Sequence, residues 1–311
     1  MFHPLQIITR SPKAPFFIAQ GDIYLRKKLF EEQNIFDTCG CAENQRDNNV
    51  WRFFEVHGLS LALGGTQILD NISFTFNKGD FLSIIGPNGA GKSSLLKCLG
   101  RLYKEYTGSV MLDGMQLAAM PPRTIAQRIA WVHQTSSDNL PFTVREFASM
   151  SRYPWQKSFS GESRKDREII EQSLKTAGVA DLADRQLDSL SGGERQRALI
   201  AAALAQSTDI LYLDEPTSFL DYRHQAETLD LIEKINKEQG ITVVMVTHDI
   251  NLALHGADNI IALKHGRVMW QGKSTDIIKD SLLSEIFETE FCSFKSVGQD
   301  IPYVTPRGLV R

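Results

Sequence analysis

The chain has 311 residues, with a hydrophobic fraction of 42% and a charged fraction of 23%, enough for about two domains at roughly 150 residues each. That usage excludes a chain disordered throughout and a small disulfide-stapled scaffold. Lys and Arg number 34 against 37 Asp and Glu, a net charge of −3, which excludes a general coating protein for nucleic acid. Apolar runs such as 201–204 and 243–246 fall far short of the ~18 residues a bilayer-spanning helix requires. The N-terminus lacks a basic-apolar-small cleavage pattern, and the cysteines at 39, 41, 98 and 292 make no disulfide framework. A reducing interior is the expected setting.

Residues 1–50 mix prolines, the cluster Arg26-Lys27-Lys28 and a polar run at 43–49 with no sustained period, and are expected to form a poorly ordered extension. Cys39 and Cys41 lack a nearby Cys or His and read as free thiols. Strands are expected over 53–61, 72–76 and 81–85, separated by Gly64-Gly65 and Asn77-Lys78-Gly79. The run Phe81 to Ile85 stops at Gly86, and Leu95, Leu96 and Leu99 then recur at helical spacing up to Gly100, with Cys98 in the packing. Helical patterns with caps fill 121–189, which reads as a helical subdomain centred on about 135–190. Beyond it come a helix at 193–206, a strand at 210–213, a helix ending at Gly240 and a strand at 241–247. Alternation of this kind predicts an α/β fold built on parallel βαβ units.

Gly86-Pro87-Asn88-Gly89-Ala90-Gly91-Lys92-Ser93 satisfies G-x-x-x-x-G-K-[ST] in full, with a strand before it and a helix after it. The glycines allow backbone N–H groups to converge on an anion, and the helix from Lys92 through Ser94 adds its positive end. Lys92 is expected to meet the β- and γ-phosphates of a nucleoside triphosphate, and Ser93 to ligate Mg²⁺. The apolar strand Ile210 to Leu213 delivers Asp214 and Glu215 at its C-terminal edge, where open α/β sheets bind ligands. Asp214 is placed to hold Mg²⁺ through water, and Glu215 to polarise the attacking water as general base.

Leu190-Ser191-Gly192-Gly193-Glu194 resembles the LSGGQ signature of ABC-transporter ATP-binding subunits, with Glu194 where Gln is commoner. Physically, Ser191 and Glu194 form a capping box that opens a helix and presents Ser191 and the Gly193 N–H to an anion. The resemblance extends in the family's order to Gln134 (Q-loop), Ser218-Phe219-Leu220-Asp221 (D-loop) and His248 (switch histidine), and covers about 51–293. It implies a P-loop NTPase of ABC type, with a RecA-like core, an antiparallel β subdomain and an α-helical subdomain, followed by a short tail at 294–311. It also implies Mg²⁺-dependent ATP hydrolysis. Gln134 would touch Mg²⁺ and water, His248 the γ-phosphate edge, and Ser191–Glu194 with Asp221 the nucleotide bound by a second copy. The family's adenine-stacking aromatic falls on Leu63 here, which leaves the base without a ring to stack on.

One P-loop and one signature per chain imply a homodimer. The segments 140–146 and 151–155 resemble the ATPases of iron-siderophore, haem and cobalamin uptake. The expectation is a peripheral subunit on the cytoplasmic face of the inner membrane. It would drive transmembrane permease subunits, fed indirectly by a substrate-binding protein, in the uptake of an iron complex. Permease-facing residues are expected around 135–157, with Phe142, Tyr153 and Trp155 as aromatic anchors. Haem or cobalamin as cargo, or a soluble ABC ATPase of cofactor assembly, are the alternatives.

Overall fold

The computed structural model describes residues 53–133, 140–156, 161–278, 281–295 and 301–309. The expectations for 1–50, for Cys39 and Cys41 and for Gln134 lie outside the described residues. β1 (Phe54–Leu63) and β2 (Thr66–Phe76) turn at Gly64 and Gly65, whose φ of 55° and 81° a side chain would resist. Phe54 and Phe76 pair across the two strands and stack with centroids 4.7 Å apart. β3 (Phe81–Ile85) is buried at every position and runs through a glycine loop into α1 (Lys92–Leu99). Leu95, Leu96, Cys98 and Leu99 form that helix's buried face, and burial pushes the Cys98 thiol up to about 12, so it remains protonated packing. β4 (Tyr106–Leu112) and β5 (Met115–Gln116) complete a four-stranded antiparallel sheet in the order β2-β1-β4-β5.

α2 (Pro122–Ala126) is followed by β6 (Ile129–Val132), which pairs in parallel with the strand at 210–214. Residues 129–132 therefore belong to the core sheet, and the helical subdomain begins later than the pattern from 121 suggested. Its helices are α3 (Val144–Met150), α4 (Arg164–Thr176) and α5 (Gly192–Ala205), opened by the capping boxes Thr143/Glu146, Ser163/Asp166 and Ser191/Glu194. The buried Arg152 guanidinium fixes their mutual packing. It donates to Asp166 Oδ1 at 2.8 Å, to the Ala205 carbonyl at 2.8 Å and to Ser207 Oγ at 3.0 Å.

β7 (Ile210–Asp214), α6 (Tyr222–Gln239), β8 (Thr242–Val246), α7 (Ile250–Gly256), β9 (Asn259–Lys264) and β10 (Arg267–Lys273) finish the core. The strands form a six-stranded sheet, β10-β9-β3-β8-β7-β6, parallel except for β10. β7 and β8 are buried at every position, as expected for parallel strands covered on both faces. Because β3, β8 and β7 are neighbours, the segments leaving their C-terminal ends emerge side by side: the glycine loop, His248, and Asp214-Glu215.

The chain closes with α8 (Leu282–Phe287) and an antiparallel pair, β11 (Phe291–Phe294) with β12 (Tyr303–Pro306). Val304 is buried in one apolar cluster with Ile250, Leu254 and Ile286. The boundary expected at 293 thus falls inside a strand, and Tyr303 and Val304 of the expected tail pack on α7.

Candidate active site

The loop after β3 is shaped by close approach as much as by torsion. Gly86 has φ 148°, and a Cβ there would sit 2.1 Å from the Leu263 carbonyl oxygen of β9. Gly91, the N-cap of α1 at φ 96°, would put a Cβ 2.7 Å from Leu69 on β2. Lys92 is buried, and its Nζ donates to the Gly86 carbonyl at 2.8 Å and the Pro87 carbonyl at 3.1 Å, so the loop curls around the ammonium. Burial pushes the Lys92 ammonium below its ordinary value, while the charges of Glu215 and Asp214 push back. Asn88 and Gly89 stand exposed at the loop's tip, and Ala90 N–H donates to the Pro87 carbonyl at 3.2 Å.

Ser93 Oγ, one residue into α1, donates to Asp214 Oδ1 at 3.0 Å. Burial raises the Asp214 carboxyl, and the Ser93 hydroxyl opposes that rise. Nearby, the His133 ring stacks on Trp131 at 4.8 Å, and burial lowers its imidazole against the pull of Asp214. Glu215 follows in the left-handed region at φ 50°, a costly torsion for a non-glycine residue that its surroundings must hold. Its N–H donates to the Val246 carbonyl at 2.9 Å, its Oε2 accepts from Ser218 Oγ at 2.9 Å, and His248 Nδ1 lies 3.6 Å from the same oxygen. These groups open onto a cleft of about 290 Å³ lined by Glu215, Thr217, Ser218, Phe219, His248 and Leu252.

The signature segment is built differently. Ser191 Oγ and Ser191 N–H both donate to Glu194 Oε2, at 2.7 and 2.9 Å, and the Glu194 N–H returns a bond to Ser191 Oγ at 3.4 Å. Those two donors hold the Glu194 carboxyl below its ordinary value. Gly192 and Gly193 begin α5, and a Cβ on Gly193 would sit 2.2 Å from the His224 ring on α6. Asp221 caps α6 through His224 N–H at 2.9 Å and contacts His224 Nδ1 at 2.8 Å, while Arg197 on α5 pairs with Glu227 at 2.6 Å. Beside Asp221, Phe219 and Tyr222 are 90% and 91% exposed.

Of the residues singled out in the sequence, Gly86–Ser94, Asp214, Glu215 and His248 share one edge of the core sheet. Ser191–Glu194 and Asp221 bond within their own helix turns. Ser218 was singled out only as part of the D-loop resemblance, and its bond to Glu215 was not anticipated, although its N–H closes a turn on the Glu215 carbonyl at 3.2 Å, a spacing of three residues that the sequence displays.

A mostly parallel sheet, a complete phosphate loop and a serine–aspartate contact beside a glutamate define a P-loop nucleoside triphosphatase. The ABC transporter family profile matches residues 69–218. YusV of Bacillus subtilis, named a probable siderophore transport system ATP-binding protein, is 42% identical over 80% of this chain and 89% of its own length. FepC of Escherichia coli, the ferric enterobactin transport ATP-binding protein, is 37% identical over 80% of this chain and 92% of its own. The dimeric structure of the bacterial ABC transporter cassette MJ0796 superposes with a TM-score of 0.62 at 31% identity, over 71% of this chain and 98% of that one. The chain belongs to the ABC-transporter family of ATP-binding proteins, and it binds and hydrolyses ATP.

Proposed function

We propose that this chain is the ATPase subunit of an importer for an iron–siderophore complex, acting as a pair of identical chains beneath a separate transmembrane permease. The observation that carries the catalytic half is the adjacency at the sheet edge: Ser93 Oγ 3.0 Å from Asp214, and His248 Nδ1 3.6 Å from Glu215 Oε2. Lys92 and the backbone N–H groups of the 86–94 loop, Pro87 excepted, bind the phosphates. Glu215 accepts the proton of the attacking water, Ser218 orients its carboxylate, and His248 faces the γ-phosphate edge. The hydroxyl of Ser93 and the carboxylate of Asp214 converge as hard oxygen donors, a pair that suits Mg²⁺. When bound, Mg²⁺ neutralises charge on the β- and γ-phosphate oxygens. Gln134 is assigned to the same ion and to water by family resemblance.

Pairing is supported by the exposed Phe219 and Tyr222 beside Asp221 and by one P-loop and one signature per chain. Each signature then covers the nucleotide held by the other copy. The iron–siderophore cargo is supported by the transport systems that YusV and FepC are named for. Among the described residues no helix is long and apolar enough to cross a membrane, which fits a peripheral subunit at the cytoplasmic face. Met150, Tyr153 and Trp155 are 49%, 47% and 42% exposed, an apolar set suited to a permease helix. Trp155 Nε1 donates to the Gln206 carbonyl at 2.6 Å, which fixes its ring. Phe142 is half-buried, and its carbonyl accepts from Leu187 N–H at 3.0 Å.

The test is purification from membranes with identification of the bound permease, then ferric-siderophore uptake in proteoliposomes. Uptake lost with Glu215→Gln supports the reading. Uptake of haem or cobalamin alone would reassign the cargo, and absence of any permease would favour a soluble ATPase of cofactor assembly.

A further inference from the structure

His248 stands between two anchors. On its N-terminal side Thr247 N–H donates to the Ile84 carbonyl of β3 at 3.2 Å, so that side belongs to the core sheet. On its C-terminal side Asp249 caps α7, its Oδ1 accepting from Asn251 N–H at 2.8 Å and Leu252 N–H at 3.2 Å. The position of the His248 imidazole therefore depends on what holds α7, a helix of only seven residues that cannot be stable by itself.

The core sheet holds one side of it, where Ile250, Ala253 and Leu254 share a cluster with Ile85, Ile260 and Ala262, and β12 holds another. The Asn251 side-chain amide pairs with the backbone of Val304 in both directions: Nδ2 donates to the Val304 carbonyl at 3.0 Å, and Val304 N–H donates to Oδ1 at 2.8 Å. One turn further along α7, the His255 ring lies against Tyr303 with centroids 4.3 Å apart. Val304 itself is buried with Ile250 and Leu254. An asparagine carboxamide carries a donor and an acceptor that match a peptide's in this fashion. The pairing therefore fixes orientation as well as distance, which packing by Val304 alone would not do.

We propose that Asn251 is a positioning residue for ATP hydrolysis, and that the C-terminal β11–β12 pair is the clamp through which it holds His248 toward the γ-phosphate edge. The proposal rests on the assignment of His248 made above. The clamp acts on catalysis and not on nucleotide binding, because the P-loop is anchored separately through β2, β3 and β9.

The experiment compares steady-state MgATP hydrolysis and thermal unfolding of the full chain for four variants. Asn251→Ala removes the pairing and is expected to lower kcat roughly tenfold, the scale of a small displacement of a catalytic group, with the KM for MgATP unchanged. Val304→Ala keeps both backbone bonds but removes a buried side chain, so its melting temperature falls while kcat is kept. His248→Ala lowers kcat further, and Asn251→Ala added to it costs nothing more, because the residue acts through His248. Wild-type kcat for Asn251→Ala overturns the clamp, as does a loss of kcat in Val304→Ala that tracks its melting temperature. A second, additive loss in the double variant overturns it too. Wild-type kcat for His248→Ala would instead remove the assignment on which the clamp rests, and the clamp with it.

Discussion

The phosphate-binding edge and the signature turn are both helix N-termini fronted by glycines, yet they are finished to different degrees. At the first, Lys92 is buried with two carbonyl partners and Ser93 already meets Asp214. The anion site is assembled by one chain. At the second, the Ser191 hydroxyl donates to Glu194 of its own turn, and Gly193 packs against His224 of α6. The turn is held rigidly enough to be presented and keeps its polar groups occupied until an anion arrives. The difference is that one half is already a closed pocket, while the other is a presented turn, which fits the proposed role of a lid supplied by a second copy.

The most severe way to break the pocket half is Glu215→Gln, which keeps shape and hydrogen bonding but removes the base. Turnover should fall by on the order of a thousandfold while MgATP binding persists and a nucleotide-trapped dimer accumulates, measured by phosphate release and light scattering.

Asp166→Ala strikes the support of the signature helix. The buried Arg152 guanidinium would be left facing the Ala205 carbonyl without its carboxylate, costing about 3 kcal/mol in denaturant unfolding. The Ser163 hydroxyl and Arg152 hold the Asp166 carboxyl below its ordinary 3.8. Its contribution is thus fully present above that value and is lost as pH falls through the lower, folded value. Acid unfolding curves should show this limb in the wild type and lack it in the variant.

Glu194→Gln sharpens the comparison at the lid. Glutamine still caps α5, but the anion beside Ser191 disappears, so MgATP-driven pairing should tighten by roughly threefold in sedimentation measurements. The smallest effect concerns the base. Leu63 is 38% exposed at the β1–β2 turn and offers no ring. Leu63→Tyr should strengthen ATP binding by about 1 kcal/mol or less and widen its margin over GTP in competition titrations.

Much of the pocket half was legible because its chemistry is local. Gly86–Ser93 is contiguous, Asp214-Glu215 ends an apolar run, and the Ser191/Glu194 capping box spans three residues. Contacts between distant segments were not legible. Gly193 reads as part of a motif, yet its lack of a side chain also admits the His224 ring from α6. β6 escaped notice because four residues, Ile129–Val132, show no period and only pairing with β7 makes them a strand. The role of the tail was not legible because the partner of Val304 is Asn251, 53 residues away. Tyr153 and Trp155 were expected at a partner surface and are exposed, whereas Phe142 is half-buried.

The central claim is that each ATP is hydrolysed between the P-loop of one chain and the signature of another, and mixing two dead variants tests it most directly. Lys92→Ala removes the pocket and keeps the lid. Ser191→Asp keeps an N-cap for α5 but sets a negative charge where the phosphate must approach. Each alone should lack steady-state ATPase activity. Mixed in equal amounts, they form dimers that combine an intact P-loop with an intact signature in one of two sites, and the account predicts that hydrolysis returns to a fraction of the wild-type rate. A mixture as inactive as its parents, or a Ser191→Asp chain that hydrolyses ATP at the wild-type rate by itself, would contradict it.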